Sequence, residues 1–157
     1  MYHSDNVRIA YNYIGYNGFA AVELSHCKDS EIKRNQIYFC NKSGIFVQED
    51  SDVLIEGNDI HSNRNANILI KDRSYARVAW NLIRYSFASG VKVDVGCSIK
   101  LHHNVIKYHQ TNGVECFKSN IQAEYNIIEK NRNMGVNISV HSRIQGFLAC
   151  NRIIANA

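Results

Sequence analysis

Asparagine and isoleucine recur along this chain with a spacing of about 23 residues. In each repeat an isoleucine stands two residues after the asparagine, and an aliphatic residue or alanine stands three residues before it. A fixed period in this range is typical of solenoids, in which each repeat stacks on its neighbours. The asparagines of this register are Asn12, Asn35, Asn58, Asn81, Asn104, Asn126 and Asn151.

A second block begins nine residues after each asparagine, for example from Gly44 to Val47. It opens with glycine, alanine or asparagine and then carries apolar, mostly β-branched residues at every second position. This alternation predicts a short strand with one buried face. Each repeat thus predicts two short strands, and we expect a third, while no stretch shows a capped helical pattern. The predicted fold is all-β, a single-stranded right-handed parallel β-helix of six to seven coils, with residues 1–157 forming one domain.

The regular asparagines predict an internal ladder, because stacked coils place identical turns directly above one another. Each amide would donate to and accept from the amides of the neighbouring coils, and asparagine tolerates the left-handed backbone of tight turns. A weaker polar register, five residues further on, is predicted to be broken by Cys40, Ser86 and His109. Its asparagines are Asn17, Asn63, Asn131 and Asn156. An aromatic stack is expected among the interior stacks at Tyr16, Phe39, Tyr85 and Tyr108, interrupted by Ser62.

The composition of the chain argues against several classes of binding partner and cofactor. The chain of 157 residues is 45% hydrophobic and 20% charged, and no apolar run reaches the ~20 residues that span a bilayer, so we expect no membrane partner. The net charge of +4 is mild and the basic residues do not form one stripe, so no nucleic acid is expected. The five cysteines are scattered without a CxxC pair, which predicts no metal site, no cofactor and a reduced intracellular setting. The absence of proline agrees with coils that hydrogen-bond to one another along their whole length.

Charged residues at outward positions of the predicted strands form one candidate partner-binding site, and no residue is assigned a catalytic role. Lys71, Lys92, Asp94 and Glu115 should lie together across three neighbouring coils. In a polysaccharide lyase, a lysine of such a patch would act as the base and the carboxylates would hold Ca²⁺. The alternative is an ordinary network of cross-strand ion pairs on a solvated face.

Apolar residues at outward positions form a second candidate site. Phe46 and Leu69 should touch because they share a register on neighbouring coils, and Phe117 lies further along the same face. A contiguous strip of exposed apolar side chains predicts a partner-binding surface. Alternatively, a loop covers these side chains, or they are scattered exposed hydrophobic residues.

The pattern N-x-I followed by G-[IV]-x-[VI] resembles the repeats of parallel β-helix families. These include pectate lyase-like enzymes, copper-maturation and alginate-epimerase relatives, and intracellular eukaryotic proteins. The regular spacing is most similar to the last group, which includes F-box proteins with β-helix repeats and SHC-binding spindle-associated proteins. The segments from Asn35 to Val47 and from Asn58 to Asp72 carry this similarity best.

The resemblance implies a non-enzymatic scaffold that binds other proteins inside the cell, in the cytoplasm or cytoskeleton. Such a scaffold would recruit substrates or form part of a large cytoskeletal or ciliary assembly. The chain would then be part of a longer protein or assembly, with end-to-end stacking or a neighbouring protein covering its uncapped ends. The alternative function is a carbohydrate-active enzyme, a polysaccharide lyase or epimerase. The nearly constant repeat length argues against it, because no long loop is available to build groove walls.

Overall fold

The computed structural model describes residues 4–139 and 148–157. These residues form short parallel strands in three sheets of seven, seven and six strands, and each complete coil contributes one strand to each sheet. Neighbouring strands in a sheet belong to successive coils, as the pairing of Ile37 with Ile60 and of Ile60 with Ile83 shows. The fold is therefore the predicted right-handed parallel β-helix, and the expected third strand of each repeat is present.

The strands are numbered in chain order. The first sheet contains β1 (Arg8–Ala10), β4 (Ser30–Lys33), β7 (Asp52–Glu56), β10 (Tyr75–Ala79), β13 (Ser98–His102), β16 (Asn120–Glu124) and β19 (Leu148–Ala149). The second sheet contains β2 (Tyr13–Gly15), β5 (Gln36–Tyr38), β8 (Asp59–His61), β11 (Leu82–Arg84), β14 (Val105–Lys107), β17 (Ile127–Glu129) and β20 (Arg152–Ile154). The third sheet contains β3 (Val22–Ser25), β6 (Ile45–Gln48), β9 (Ile68–Ile70), β12 (Val91–Val93), β15 (Val114–Cys116) and β18 (Val136–Ile138).

The core is a set of aliphatic columns that run along the axis of the helix. Ile37, Ile60 and Ile83, at the centres of consecutive strands of the second sheet, are completely buried. Each such side chain contributes about 1.5–3 kcal/mol to folding, because its apolar surface is removed from water. Strand spacing of ~4.8 Å gives the coils a combined length of roughly 30 Å.

The asparagine ladder lies in the first turn, between the first and second sheets. The backbone N–H of Asn58 donates to Oδ1 of Asn81 over 2.8 Å, and its Nδ2 donates to the same oxygen over 3.0 Å. The Nδ2 atom also donates to the carbonyls of Ile32 and Glu56. Equivalent bonds join every successive pair of rungs from Asn12 to Asn151, so the predicted ladder is confirmed.

The expected left-handed conformation falls on a different residue. The residue before each ladder asparagine has a positive φ, for example 54° at Arg34 and 57° at Trp80. The asparagines themselves are not left-handed at these rungs. The ladder therefore depends on the hydrogen-bonding capacity of the amide, and the strained backbone is carried by its neighbour.

In the second polar register Cys40 and His109 continue the hydrogen bonding between coils, so the breaks predicted at these two residues are wrong. Within residues 4–139 no hydrogen bond joins Asn63 to Ser86, because Nδ2 of Asn63 donates to Asn67 of its own coil, so the predicted break at Ser86 is present. Cys40 donates its backbone N–H to Oδ1 of Asn63, as a ladder asparagine would. His109 accepts the backbone N–H of Ser86 at Nδ1 over 3.1 Å, and its Nε2 lies 3.1 Å from the carbonyl oxygen of Ile83. The imidazole thus replaces an amide, with Nδ1 as acceptor and Nε2 as donor. Burial lowers the pKa of His109 to about 4, so the ring is neutral at pH 7.

Candidate interaction surface

The aromatic side chains that were expected in the interior lie on the outside of the molecule. Tyr16 is 76% exposed, and Phe39 and Tyr85 are also exposed. Each of them lies in the second turn, which connects the second and third sheets. Each stands one residue before a member of the second polar register. A left-handed backbone at this residue directs the side chain outward, while the next residue points inward. The prediction of an internal aromatic stack is therefore wrong.

These side chains form a row along the second turn, here called the second-turn row. Rings on successive coils stack, with centroid distances of 5.4 Å between Tyr16 and Phe39 and 5.0 Å between Tyr85 and Tyr108. All members have φ between 49° and 61°. The second-turn row consists of Tyr16, Phe39, Ser62, Tyr85, Tyr108, Lys130 and Ala155.

A second row occupies the left-handed residues before the ladder asparagines and is here called the first-turn row. Trp80 stacks on His103 with a centroid distance of 4.1 Å, and His103 stacks on Tyr125 with a distance of 5.1 Å. Sequence reasoning missed this row, although the residue before each ladder asparagine could have been read from the same alignment of repeats. The first-turn row consists of Tyr11, Arg34, Gly57, Trp80, His103, Tyr125 and Cys150.

Cationic side chains accompany the rings in both rows. The guanidinium carbons of Arg34 and Arg84 lie 5.6 Å from the ring centroids of Tyr11 and Tyr85, respectively. The ammonium of Lys130 lies 5.6 Å from the ring of Tyr108. Cation–π contacts of this kind contribute about 0.5–1 kcal/mol at exposed sites and hold the rings in place.

The outward side chains of the second sheet connect the two rows. Tyr38 stacks on His61 with a centroid distance of 5.5 Å. Arg84 makes a bidentate contact with Asp59, with nitrogen–oxygen distances of 3.1 and 2.8 Å. The two rows and this strip of the second sheet together form a surface rich in aromatic and arginine side chains, here called the aromatic face. These are the residue types that are enriched in the centres of protein interfaces.

The charged candidate site lies on the third sheet and consists of two ion pairs. Nζ of Lys92 lies 3.0 Å from Glu115 and Nζ of Lys71 lies 3.5 Å from Asp94. Burial acts to raise the pKa of Glu115, but hydrogen bonds from Ser89 and Lys92 hold it below its usual value. The structure therefore joins the four residues as two ion pairs between neighbouring coils, and partner binding by them stays a prediction.

The apolar candidate site is less exposed than predicted. Phe46 and Leu69 are register partners on neighbouring coils, as expected. However, Leu69 is only 8% exposed, so its predicted exposure is wrong, and Phe46 is half-buried. Both line a cavity of about 290 Å³ together with the exposed Phe19. Phe117 is 43% exposed but lies two coils from Leu69, on the same coil as Glu115. Partner binding by these three residues stays a prediction.

Within residues 4–139 and 148–157, no three His, Cys, Asp or Glu side chains are grouped so that they would hold a metal ion. The same residues include no helix with the length and apolar character needed to cross a membrane.

A family model described as a right-handed beta helix region matches residues 1–121. The chain belongs to the right-handed β-helix family. Within this family it is similar to F-box only protein 10 of Mus musculus, with 34% identity over 83 residues, and of Homo sapiens, with 32% over 84 residues. The two matches cover 52% and 53% of this chain, and each spans 9% of the relative's length.

The β-helix is also similar to solved structures of epimerases. The periplasmic alginate epimerase AlgG superposes with a TM-score of 0.79 at 20% identity, covering 86% of this chain and 33% of that one. The A-module of the mannuronan C-5 epimerase AlgE6 from Azotobacter vinelandii superposes with a TM-score of 0.71 at 15% identity, covering 84% and 38%. At these identities the likeness shows a shared fold.

Proposed function

We propose that this chain is a non-enzymatic protein-interaction module whose aromatic face binds other proteins. The observation that carries the proposal is the presence of bulky, exposed aromatic residues at left-handed backbone positions. Such residues rarely adopt this conformation, which costs about 1–2 kcal/mol per residue. The fold does not require them, because Gly57, Ser62 and Ala155 occupy the same positions of the repeat.

The composition of the aromatic face supports binding. Aromatic and arginine side chains carry much of the binding energy in protein interfaces. The aromatic ones bury a large area with only two rotatable bonds. The rings are stacked on one another and on cations, so they lose little conformational freedom when a partner binds. A surface with these properties is preorganised for association.

The similarity to F-box only protein 10 supports a recruiting role inside the cell. The match spans 9% of those proteins, so we propose that the β-helix works as one module of a longer protein or of a larger assembly. Capping of the coil ends by a neighbouring protein or by a second copy belongs to the same proposal. The epimerases share the fold, and the charged residues of the third sheet, which would serve an enzyme, are engaged in ion pairs with one another.

The proposal is tested with variants of the second-turn row. We expect Tyr85→Ser/Tyr108→Ser to fold like the wild type, because Ser62 occupies the same position with a φ of 57°. Proteins captured from a cell lysate by the wild type and lost by this variant are purified and titrated calorimetrically. The expected result is that the variant binds at least about tenfold more weakly, a loss of about 1.4 kcal/mol.

The matched control is Arg77→Ser/Lys100→Ser, which changes two exposed residues of the first sheet. It should retain wild-type affinity. Equal affinity of the wild type and the tyrosine variant for every purified partner would refute binding through the aromatic face. Conversion or depolymerisation of an acidic polysaccharide by the purified chain would favour the enzyme instead.

A further inference from the structure

Planar groups follow one another along the first-turn row from Tyr11 to Tyr125, on every coil except that of Gly57. On one side Trp80, His103 and Tyr125 form a continuous stack, with ring planes inclined by only 17° and 18°. On the other side, Arg34 lies over the ring of Tyr11 and donates a hydrogen bond from Nη1 to its hydroxyl over 3.0 Å. Between these two segments stands Gly57, which has no side chain.

The coil at Gly57 is otherwise regular. Its backbone N–H donates to the carbonyl of Ala79 over 3.0 Å, and its φ of 67° matches the left-handed residues above and below. A Cβ atom built at this position would meet Cγ of Arg34 at 3.5 Å, an ordinary van der Waals distance. A side chain would therefore fit, and its absence is not imposed by crowding.

The missing side chain leaves an open slot. Arg34 and Trp80 are two coils apart, which at the strand spacing is about 10 Å, enough for one aromatic ring between two planar groups. A cavity of about 430 Å³ occupies this place, lined by Tyr11, Arg34, Gly57 and Trp80. One face of the Trp80 indole is stacked on His103, and the opposite face is directed towards the slot. Trp80 is 59% exposed, so the slot opens to solvent.

The walls of the slot select for a planar, uncharged π system. An aromatic ring at this rung would stack on the indole of Trp80 and receive a cation–π contact from Arg34. A cationic side chain would be repelled by Arg34, and an aliphatic side chain would gain neither contact. At the rim, Lys33 lies 3.5 Å from Glu56 and 3.0 Å from Glu31, and Glu31 also lies 3.9 Å from Arg8. The charges of these two acidic and two basic side chains therefore largely compensate one another.

We infer that the gap at Gly57 is a binding slot for an aromatic side chain of a partner protein. The inserted ring would complete the interrupted stack from Tyr11 to Tyr125. This inference rests on the proposed function, since the ring is supplied by the protein that binds the aromatic face.

The slot is tested directly with N-acetyltyrosine amide as the probe. Trp80 is the single tryptophan of the chain and lines the slot, so its fluorescence, excited where tyrosine does not absorb, reports on the surroundings of this one indole. The expected result is a saturable change with the tyrosine amide and none with N-acetylleucine amide or methyl glucoside. No saturable change with the tyrosine amide would overturn the inference, and saturation by the glucoside would identify the slot as a sugar site.

The matched variants are Gly57→Tyr and Gly57→Ser. A tyrosine at residue 57 would fill the slot from within, and the same register already holds Tyr11 and Tyr125 at nearly the same φ. A serine would keep the slot open, and Ser62 shows that the left-handed position accepts this residue type. We expect probe binding at least about tenfold weaker for Gly57→Tyr than for Gly57→Ser, with both melting cooperatively.

The partner identified with the second-turn variants distinguishes the two proposals. It should bind Gly57→Tyr and Trp80→Ser at least about tenfold more weakly than Gly57→Ser. If it binds Gly57→Tyr like the wild type but loses affinity for Tyr85→Ser/Tyr108→Ser, the slot is refuted and the proposed function stands. If it binds all of these variants equally well, both proposals fail.

Discussion

The two turns that flank the second sheet both place a register of side chains inward, but they use different residue types for it. In the first turn asparagine occupies every rung, whereas in the second turn the rungs include asparagine, cysteine, serine and histidine. Side chains of both registers point inward and accept backbone N–H groups of the preceding coil, as Asn81 does for Asn58 and His109 does for Ser86. Ser86 is an exception, because its hydroxyl bonds Ala88, Ser89 and His109 instead. The hydrogen-bonding demand is therefore similar, and the difference between the turns must come from the space around the rungs.

The neighbouring strand explains that difference. A Cβ atom at Gly44 would lie 2.7 Å from Nδ2 of Asn63, and one at Gly90 would lie 2.5 Å from Nε2 of His109. Glycine therefore makes room for a large rung on the next coil. Asn67 occupies the position equivalent to Gly44 and Gly90, and the rung on the next coil is there the small residue Ser86. The complete set of pairs is Ala21 with Cys40, Gly44 with Asn63, Asn67 with Ser86, Gly90 with His109, Gly113 with Asn131, and Gly135 with Asn156.

This comparison shows that two positions on adjacent coils share one volume in the second turn. Where the paired residue on the preceding coil has a side chain, the rung is small. Where that paired residue is glycine, the rung is large. In the first turn, each amide bonds to its own coil, to the preceding coil and to the next rung, so a single residue type is repeated throughout. Variation is tolerated where a neighbour compensates for it.

The largest effect is expected from a break in the uniform ladder. Asn81→Ala removes the acceptor for the backbone N–H and Nδ2 of Asn58, and it also leaves the carbonyl of Ile55 without its donor. Several buried polar groups would then lack partners, at about 1–3 kcal/mol each. We expect the free energy of unfolding, measured by urea titration, to fall by roughly 3–5 kcal/mol.

The control for this prediction is Lys92→Ala, which removes one partner of a partly exposed ion pair on the third sheet. Pairs of this kind contribute about 0–1 kcal/mol. If Asn81→Ala and Lys92→Ala reduced stability equally, the ladder would not be the stabilising element that its hydrogen bonds indicate.

A smaller, pH-dependent effect on the free energy of unfolding is expected from His109, the imidazole rung of the second polar register. The pKa of His109 is about 4 in the folded chain against 6.5 in its ordinary state, because burial disfavours the charged ring. As the pH falls from about 6.5 to 4, the unfolded chain takes up this proton and the folded chain does not. Stability is therefore complete above pH ~6.5 and declines by up to about 3 kcal/mol towards pH ~4.

The measurement is a pair of urea titrations across this pH range, on the wild type and on His109→Asn. The variant supplies an amide, as Asn131 does one rung further on, and has no imidazole to titrate. The difference in stability between the two proteins should change by about 3 kcal/mol in the stated direction. Parallel pH profiles would show that His109 does not carry the acid sensitivity.

Sequence reasoning reached the parts of the molecule that depend on the repeat alone. The spacing gave the coils and the ladder, and it gave the contact between Phe46 and Leu69, because stacked repeats place equal registers side by side. The spacing does not show whether the side chain of a turn residue faces the core or the solvent. For this reason the expectation that Tyr85 lies in the interior is wrong. Alternation decides orientation within a strand, whereas in a turn the sign of φ decides it, and left-handed aromatic residues are too rare to be expected. The slot at Gly57 follows from that orientation.

The finest test of the comparison is a double-mutant cycle in the second turn. Gly44→Ala places a Cβ atom against Asn63 and should cost about 1–3 kcal/mol by overpacking. Asn63→Ser alone removes the acceptor for the backbone N–H of Cys40 and the donor to Asn67. If the two positions share one volume, the double variant should lose at least about 1 kcal/mol less than the sum of the single losses. The relief is partial, because the added Cβ also meets the backbone oxygen of Asn67 at 2.8 Å.

The control cycle combines Gly44→Ala with Asn131→Ser, which makes the equivalent change to a rung three coils away. Distant substitutions add within about 0.5 kcal/mol, so this cycle should show no coupling. Thermal or urea unfolding of the five variants measures both cycles in one experiment. Coupling in the first cycle alone would show that adjacent coils choose their second-turn residues jointly. Additivity in both would mean that the pairing of small rungs with large neighbours has another cause.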